Sequence, residues 1–140
     1  MSTSPRIDRV LETALYVDDM ERAVAFYRDV LGLTALSTGE RLSAFDANGA
    51  TVLLLFRRGA TAEGFKWEDG FIPPHDGAGP LHIAFAIGRE AVEQWATTLG
   101  EHGVQVESRV SWERGGKSLY FRDPDGHSLE LVTPGTWANY

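Results

Sequence analysis

Cysteine is absent from this chain, and so are basic runs and long apolar stretches. Without a thiol the protein forms no disulfide, holds no zinc through thiolates and has no cysteine nucleophile. The formal net charge of −7 and the lack of any cluster of Lys and Arg argue against general binding to nucleic acid or to anionic membranes. We therefore expect neither a nucleic-acid partner nor a membrane partner.

Targeting signals are missing as well. Residues 1–9 are polar and lack the apolar region of a signal peptide, and no segment reaches the length of a membrane span. A cytoplasmic protein is the resulting expectation. With 140 residues, of which 43% are hydrophobic, the chain suits one domain, or two very small ones, with enough apolar residues for a core.

The order of predicted elements occurs twice along the chain. In the first half, a strand over 11–17 leads to Asp18 and Glu21, a candidate helix N-cap and its capping-box partner, and Gly32 stands where a left-handed residue ends a helix. The second half repeats this start with a strand over 81–87 and a helix around 92–99. Shorter alternating strands follow in both halves, at 33–37, 41–46 and 51–56, and at 104–110, 118–122 and 129–133. Each half is therefore predicted to fold as β-α-β-β-β.

The predicted fold class is α+β, as a single domain over residues 1–140. It contains module 1 (about 10–58), a connecting segment (59–79) and module 2 (about 80–133). Loops as long as the connecting segment are usually functional or mobile. This one carries three large aromatic residues, which favours a lid or pocket wall over a disordered linker; they are Phe65, Trp67 and Phe71.

Three strands each carry one ligand-type side chain among apolar neighbours. Glu130 lies between two leucines after the turn at 123–126, and Glu12 and His82 lie near the start of the first strand of each module. Carboxylate and imidazole donors suit a divalent ion, and three protein ligands leave positions open for water or substrate. Alternatively, each residue is only the solvent-facing member of an alternating strand. Counting four residues past the turn glycine aligns Glu130 with Leu53, so the fourth equivalent position is predicted to be apolar.

Three segments have a distinctive pattern: residues 17–33 (VDDMERAVAFYRDVLGL), 79–85 (GPLHIAF) and 120–126 (YFRDPDG), the last leading to Glu130. Together they resemble the vicinal oxygen chelate superfamily, also called the glyoxalase/bleomycin-resistance/dioxygenase group, over about residues 10–133. The resemblance implies modules whose sheets curl around a metal-binding cleft as one curled mixed sheet, commonly within a homodimer.

The resemblance also implies one divalent metal ion, with Zn, Ni, Mn, Co and Fe as candidates, on inward-facing strand positions. Glu12, His82 and Glu130 fall on three of these positions. The family most often has His or Gln at the first, so Glu12 is a departure, although it remains a competent ligand. Leu53 at the fourth makes the chain similar to three-ligand members, such as fosfomycin-resistance thiol transferases and extradiol dioxygenases.

The catalytic candidates are Glu12, Glu130 and Tyr120. As in glyoxalase-type enzymes, either carboxylate can act as a base by loosening from the metal. Ser118 and Tyr120 form a Ser-x-Tyr pattern similar to the one with which fosfomycin-resistance enzymes hold a phosphonate. Strand alternation alone produces the same pattern.

Further substrate-binding candidates come from loops and strand ends. His75 can reach in from the connecting segment, Arg109 can bind an anionic group, and Trp67, with Trp112, can form an apolar wall. The alternatives are an exposed loop for His75 and a solvated hairpin end for Arg109. His127, directly after the turn glycine, is expected at the surface.

The favoured function is a metal-dependent glyoxalase-like enzyme, of the lyase, isomerase or thiol transferase class, that acts on a small oxygen-rich substrate. One alternative is a non-catalytic drug- or metabolite-binding protein of bleomycin-resistance type. A further alternative is an extradiol-type dioxygenase. The enzyme is favoured because unpaired carboxylates in a cleft repel each other unless a cation or proton neutralises them.

Overall fold

The computed structural model describes residues 4–140, and its first half forms a four-stranded sheet with a helix packed on one face. The elements of module 1 are β1 (Glu12–Val17), α1 (Met20–Ala25) with a π-helical turn (Phe26–Val30), β2 (Thr34–Ser37), β3 (Leu42–Ala47) and β4 (Thr51–Arg57). The strand order is β1-β4-β3-β2, in which β1 is parallel to β4 and the other neighbours are antiparallel.

The connecting segment and module 2 follow. A short hairpin comprises β5 (Phe65–Trp67) and β6 (Gly70–Ile72). Module 2 consists of β7 (His82–Ala86), a 3-10 turn (Arg89–Ala91), α2 (Val92–Glu101), β8 (Ser108–Ser111), β9 (Lys117–Arg122) and β10 (Ser128–Val132). Its strand order, β7-β10-β9-β8, repeats that of module 1, again with the first pair parallel. The predicted α+β class and the duplicated β-α-β-β-β order are confirmed.

Each sheet has a buried face and an open face. On β1, Leu15 and Val17 are buried whereas Glu12 is exposed, because side chains alternate along a strand. The buried faces of both modules and the two helices share one hydrophobic core, whose large members include Tyr27, Phe45, Leu55, Leu99, Phe121 and Leu129. The open faces therefore carry the polar strand residues of interest.

The start and end of α1 follow from local chemistry. The N-cap is Asp19, one residue later than predicted, and its side chain accepts a hydrogen bond from the backbone N–H of Arg22 at 3.1 Å. Asp18 instead forms an ion pair with Arg58 at 2.9 Å. Gly32 has φ of +72°, as a left-handed residue after a helix requires.

Buried polar contacts join the two modules. Tyr27 donates a hydrogen bond to Asp123 at 2.7 Å, and His127 Nδ1 accepts one from the N–H of Leu81 at 2.8 Å while its Nε2 donates to the carbonyl of Tyr16 at 2.7 Å. His127 is fully buried, so the expectation of a surface position was wrong. His127 does follow a turn, but this turn packs at the junction between the two modules. The local sequence pattern does not indicate such packing.

Within residues 4–140, no helix is long and apolar enough to cross a membrane.

Candidate metal centre

His82 and Glu130 meet on the open face of module 2. The register of β7 and β10 pairs Ser128 with His82 and Glu130 with Ala84, so the two side chains are diagonal neighbours. His82 Nε2 lies 3.4 Å from Glu130 Oε1, and His82 Nδ1 lies 2.8 Å from the carbonyl oxygen of Ser128. His82 begins β7 and Glu130 lies in the middle of β10, so the sheet itself holds both side chains in place.

The backbone contact decides which nitrogen of His82 is free. A carbonyl oxygen only accepts, so His82 Nδ1 carries the hydrogen and Nε2 of the neutral ring has its lone pair directed towards Glu130. A lone pair and a carboxylate oxygen repel unless a proton or a cation lies between them. Two ligand atoms that each lie about 2.1 Å from one tetrahedral ion are about 3.4 Å apart. The separation found here therefore fits two ligands of a divalent ion.

Glu130 is buried and has partners of its own. Its Oε2 accepts a hydrogen bond from Ser118 at 2.5 Å, and Ser118 accepts one from the indole of Trp112 at 2.8 Å. Tyr120 pairs with Glu130 across β9 and β10, and its ring stacks on His82 with 6.4 Å between centroids. Burial, followed by the charge of Glu130, raises the pKa of the Tyr120 phenol above its ordinary value. Tyr120 is thus a proton donor at neutral pH.

The structure does not bring Glu12 to this pair. The far end of β1, at Tyr16, is joined through His127 to Leu81, the residue before His82. Glu12 lies about 13 Å from Tyr16 along the strand, at about 3.3 Å per residue. Across residues 4–140 there is no group of three or more His, Cys, Asp or Glu side chains placed to hold a metal ion. One chain alone therefore supplies His82 and Glu130 without Glu12.

The fourth equivalent position is Leu54, and the assignment to Leu53 was wrong by one residue. In the register of module 1, Glu12 pairs with Val52 as His82 pairs with Ser128, so Leu54 matches Glu130. Leu53 is instead buried in the core. Gly49 lies three residues before Val52, whereas Gly126 lies two residues before Ser128, and the count past the turn glycine missed this difference. The prediction of an apolar residue at this position nevertheless stands.

Two predicted substrate contacts, Arg109 and Ser118, are instead bound to other side chains of the protein. Arg109 pairs with Leu119 in the β8–β9 register, on the face opposite Ser118, and its guanidinium binds Glu93 of α2 at 2.8 Å. Ser118 is 1% exposed, with its hydroxyl engaged by Trp112 and Glu130. Strand alternation moves Arg109 away from the site, and burial makes Ser118 a support for Glu130.

The connecting segment packs on the open face of module 1. Tyr16 and His75 share a hydrogen bond of 2.7 Å between the phenol oxygen and Nδ1, and Phe56 packs edge-on against His75 with 4.7 Å between centroids. Burial, and then the charge of Asp76, raises the pKa of Tyr16. Trp67 lies out on the β5–β6 hairpin and is 61% exposed. His75 therefore joins a defined aromatic cluster, whereas Trp67 does not contact it.

Comparison with known proteins places this arrangement in a family. The family model described as "Glyoxalase/Bleomycin resistance protein/Dioxygenase superfamily" matches residues 6–131. Metallothiol transferase FosB of Staphylococcus epidermidis is 33% identical over 118 residues, which cover 84% of this chain and 77% of that protein. FosB of Lysinibacillus sphaericus is 30% identical, with coverage of 84% and 76%.

Comparison with a solved structure supports the same family assignment. The crystal structure of lactoylglutathione lyase from Agrobacterium tumefaciens superposes with a TM-score of 0.85 at 34% identity, covering 96% of this chain and 99% of that one. These relatives bear names of metal-dependent and glyoxalase-type enzymes, which confirms the predicted enzyme class. The chain belongs to the glyoxalase/bleomycin resistance protein/dioxygenase superfamily, the vicinal oxygen chelate group that its sequence resembles.

Proposed function

We propose that the protein is a metal-dependent glyoxalase-like enzyme whose ion is held by His82 and Glu130 of one chain and by Glu12 of the partner subunit. The observation that carries this proposal is the pair of His82 Nε2 and Glu130 Oε1, 3.4 Å apart, with the imidazole hydrogen committed to the Ser128 carbonyl. In metal sites, hydrogen bonds of this kind hold a ligand imidazole in one tautomer and orient a ligand carboxylate.

A homodimer accounts for the third ligand. Glu12 is exposed on the open face of module 1, and its own chain leaves it remote from His82. His82, Ala84 and Ala86 are likewise exposed on the open face of β7. A symmetric dimer that pairs the open face of module 1 with that of module 2 from the partner buries both faces and forms two equal sites.

The chemistry follows from the donor set. A divalent ion at this site supplies Lewis-acid polarisation of a substrate oxygen, and two carboxylates with one imidazole make its surroundings close to neutral. Tyr120 stacks beside His82 and pairs with Glu130 across the strands, so its phenol is placed to donate a hydrogen bond to an oxygen that gains negative charge. Glu12 lies outside the hydrogen-bond network that holds Glu130, so it is the carboxylate that can loosen from the metal and take a proton from the substrate.

The substrate is a small molecule with adjacent oxygen atoms, and we propose that a thiol takes part in the reaction. Both kinds of relative point to sulfur chemistry by name, since one is a metallothiol transferase and the other a lyase of a glutathione thioester. This chain has no cysteine, so the sulfur must come from a reactant. On module 1, Tyr16 of the Tyr16–His75 pair lies on the same face of β1 as Glu12, four residues further along the strand.

Metal analysis with two complementary variants tests the proposal. Wild type is expected to bind about one ion per chain, and Glu12→Ala and Glu130→Ala proteins each far less. When the two variants are unfolded together and refolded, mixed dimers contain one site with all its ligands. Metal content should then recover to about a quarter of wild type.

Each contrary result has a defined meaning. An absence of recovery in the refolded mixture, together with one ion per wild-type chain, would show that Glu12 acts within its own chain or not at all. A wild type that binds no Mn, Fe, Co, Ni or Zn and gains no thermal stability from them would refute the metalloenzyme. The Leu54→Ala protein is the matched control, since it changes the position equivalent to Glu130 in the other module.

A further inference from the structure

The two carboxylate oxygens of Glu130 have different surroundings. Oε1 faces His82 Nε2, whereas Oε2 accepts a hydrogen bond from the hydroxyl of Ser118. That hydroxyl in turn accepts a hydrogen bond from Trp112 Nε1 at 2.8 Å. An indole nitrogen only donates and a carboxylate only accepts, so the direction of both bonds is determined, from Trp112 to Ser118 to Glu130.

Trp112 is held by the turn between β8 and β9. Its backbone N–H donates to the carbonyl of Gly116 at 2.8 Å, and the N–H of Gly115 donates to the Trp112 carbonyl at 2.9 Å. Gly116 packs directly on Gly135 of the C-terminal segment, where an added Cβ on Gly116 would lie 2.7 Å from the Gly135 carbonyl carbon. The indole is therefore attached to a turn that packs against the C-terminal segment.

We infer that Trp112 is a positioning residue for the metal centre, acting through Ser118 on Glu130. Its N–H occupies the acceptor side of the Ser118 hydroxyl, so that the single hydroxyl hydrogen points at Oε2 and the carboxylate turns Oε1 towards His82. The inference rests on the proposed function, because it assigns a supporting residue to that same site. Nothing in the strand pattern of the sequence indicates this role, since Trp112 lies just outside β8.

The physical consequence concerns the orientation of one ligand oxygen. Without the indole N–H, the buried Ser118 hydroxyl has no fixed donor and can turn away from Oε2. Glu130 then has more rotational freedom and an unsatisfied oxygen in a buried place, both of which oppose metal binding. Loss of an outer-shell partner of this type typically weakens metal affinity about 10- to 100-fold.

The test is a Co²⁺ titration followed by visible absorbance, with wild type beside Trp112→Phe. Phenylalanine keeps an aromatic ring in place and removes only the N–H. We expect the dissociation constant for Co²⁺ to rise about 10-fold, with a changed visible spectrum and an unchanged thermal midpoint without metal. Trp137→Phe is the matched control, because Trp137 is 71% exposed and its backbone forms hydrogen bonds with the backbone of Tyr140. Its Co²⁺ affinity should equal that of wild type.

A double-mutant cycle makes the inference specific. Ser118→Ala should also weaken Co²⁺ binding, and Trp112→Phe combined with Ser118→Ala should be no weaker than Ser118→Ala alone, because Trp112 acts only through the hydroxyl. Multiplied losses in the double variant would overturn the inference, as would wild-type affinity in Trp112→Phe. These failures leave metal binding by wild type intact and so spare the proposed function. A wild type that binds no Co²⁺ overturns both.

Discussion

The two modules share an element order and a sheet topology, yet their open faces differ. Aligned by strand register, the positions of His82, Glu130, Tyr120 and Ser118 in module 2 correspond to Glu12, Leu54, Ala44 and Leu42 in module 1. Module 2 thus has a buried carboxylate with a complete set of partners, whereas module 1 has one exposed carboxylate beside apolar residues. The duplicated backbone supplies equivalent positions, and only one copy needs the supporting network that a buried ligand requires.

The largest expected effect tests this asymmetry at equivalent positions. Glu130→Ala should abolish stoichiometric metal binding, and the dissociation constant should rise more than about 100-fold because a direct ligand is lost. Leu54→Ala should bind metal as wild type does. Elemental analysis after exposure to Zn²⁺ or Co²⁺ makes the comparison. Equal losses in both variants would mean that general destabilisation of the sheets, rather than ligation, explains the result.

The second prediction concerns the junction that holds the modules together. Tyr27→Phe should lower the free energy of unfolding by about 1–3 kcal/mol at neutral pH, because a buried carboxylate oxygen of Asp123 loses its donor. Urea unfolding measures this cost. Tyr140→Phe should cost little, since the Tyr140 hydroxyl makes only longer bonds, of 3.2 and 3.4 Å, to backbone carbonyls.

The same pair has a defined pH dependence. Burial, and then the charge of Asp123, raises the pKa of Tyr27 well above the ordinary value of 10.0. The folded protein therefore keeps this phenol protonated, while the unfolded chain ionises it above about pH 10. Both proteins should lose stability above that pH, because Tyr16 and Tyr120 also have raised pKa values, but wild type should lose more, so the difference in unfolding free energy between them narrows. A difference in unfolding free energy between wild type and Tyr27→Phe that stays constant up to about pH 11 would contradict the raised pKa of Tyr27.

A smaller effect is expected where the connecting segment packs on module 1. An added Cβ on Gly77 would lie 2.3 Å from Cδ2 of Tyr16, so Gly77→Ala must displace the Tyr16 ring or the segment that carries His75. We expect a loss of about 1–2 kcal/mol and faster proteolysis within residues 59–79. Gly100 in α2 of module 2 is the comparison, because an added Cβ there would meet no atom within 4 Å. Gly100→Ala should leave the unfolding free energy unchanged or raise it slightly. Equal proteolysis of both variants would show that the segment does not depend on this contact.

The smallest predicted effect compares the helices. α1 has a side-chain N-cap in Asp19, whereas α2 begins after Ala91 without one. Asp19→Ala should lower the unfolding free energy by about 1 kcal/mol. Asp18→Ala removes an exposed ion pair and should cost less. Thermal unfolding of both variants compares the two losses of stability. A larger loss for Asp18→Ala would mean that Asp18, and not Asp19, is the N-cap.

Local sequence patterns were sufficient to predict much of the fold of this protein. Strand alternation, helical spacing and turn residues predicted the duplicated unit, and His82 and Glu130 were identified from their places on apolar strands. Errors arose where the prediction relied on counting along the chain. The turn glycine of module 1 lies one residue further from the paired position than that of module 2, so the count pointed to Leu53 instead of Leu54. Such a shift of one residue exchanges the two faces of a sheet.

The sequence alone determined the fold class, the family and two neighbouring ligand candidates, because these depend on periodicity and on short motifs. Tertiary structure decided which groups meet. It joined Trp112 to Ser118 and Glu130, buried His127 between the modules, turned Arg109 to the opposite face, and left Glu12 apart from His82 within one chain. Such contacts join residues from separate strands and turns, and their geometry depends on packing and register, which no local pattern contains.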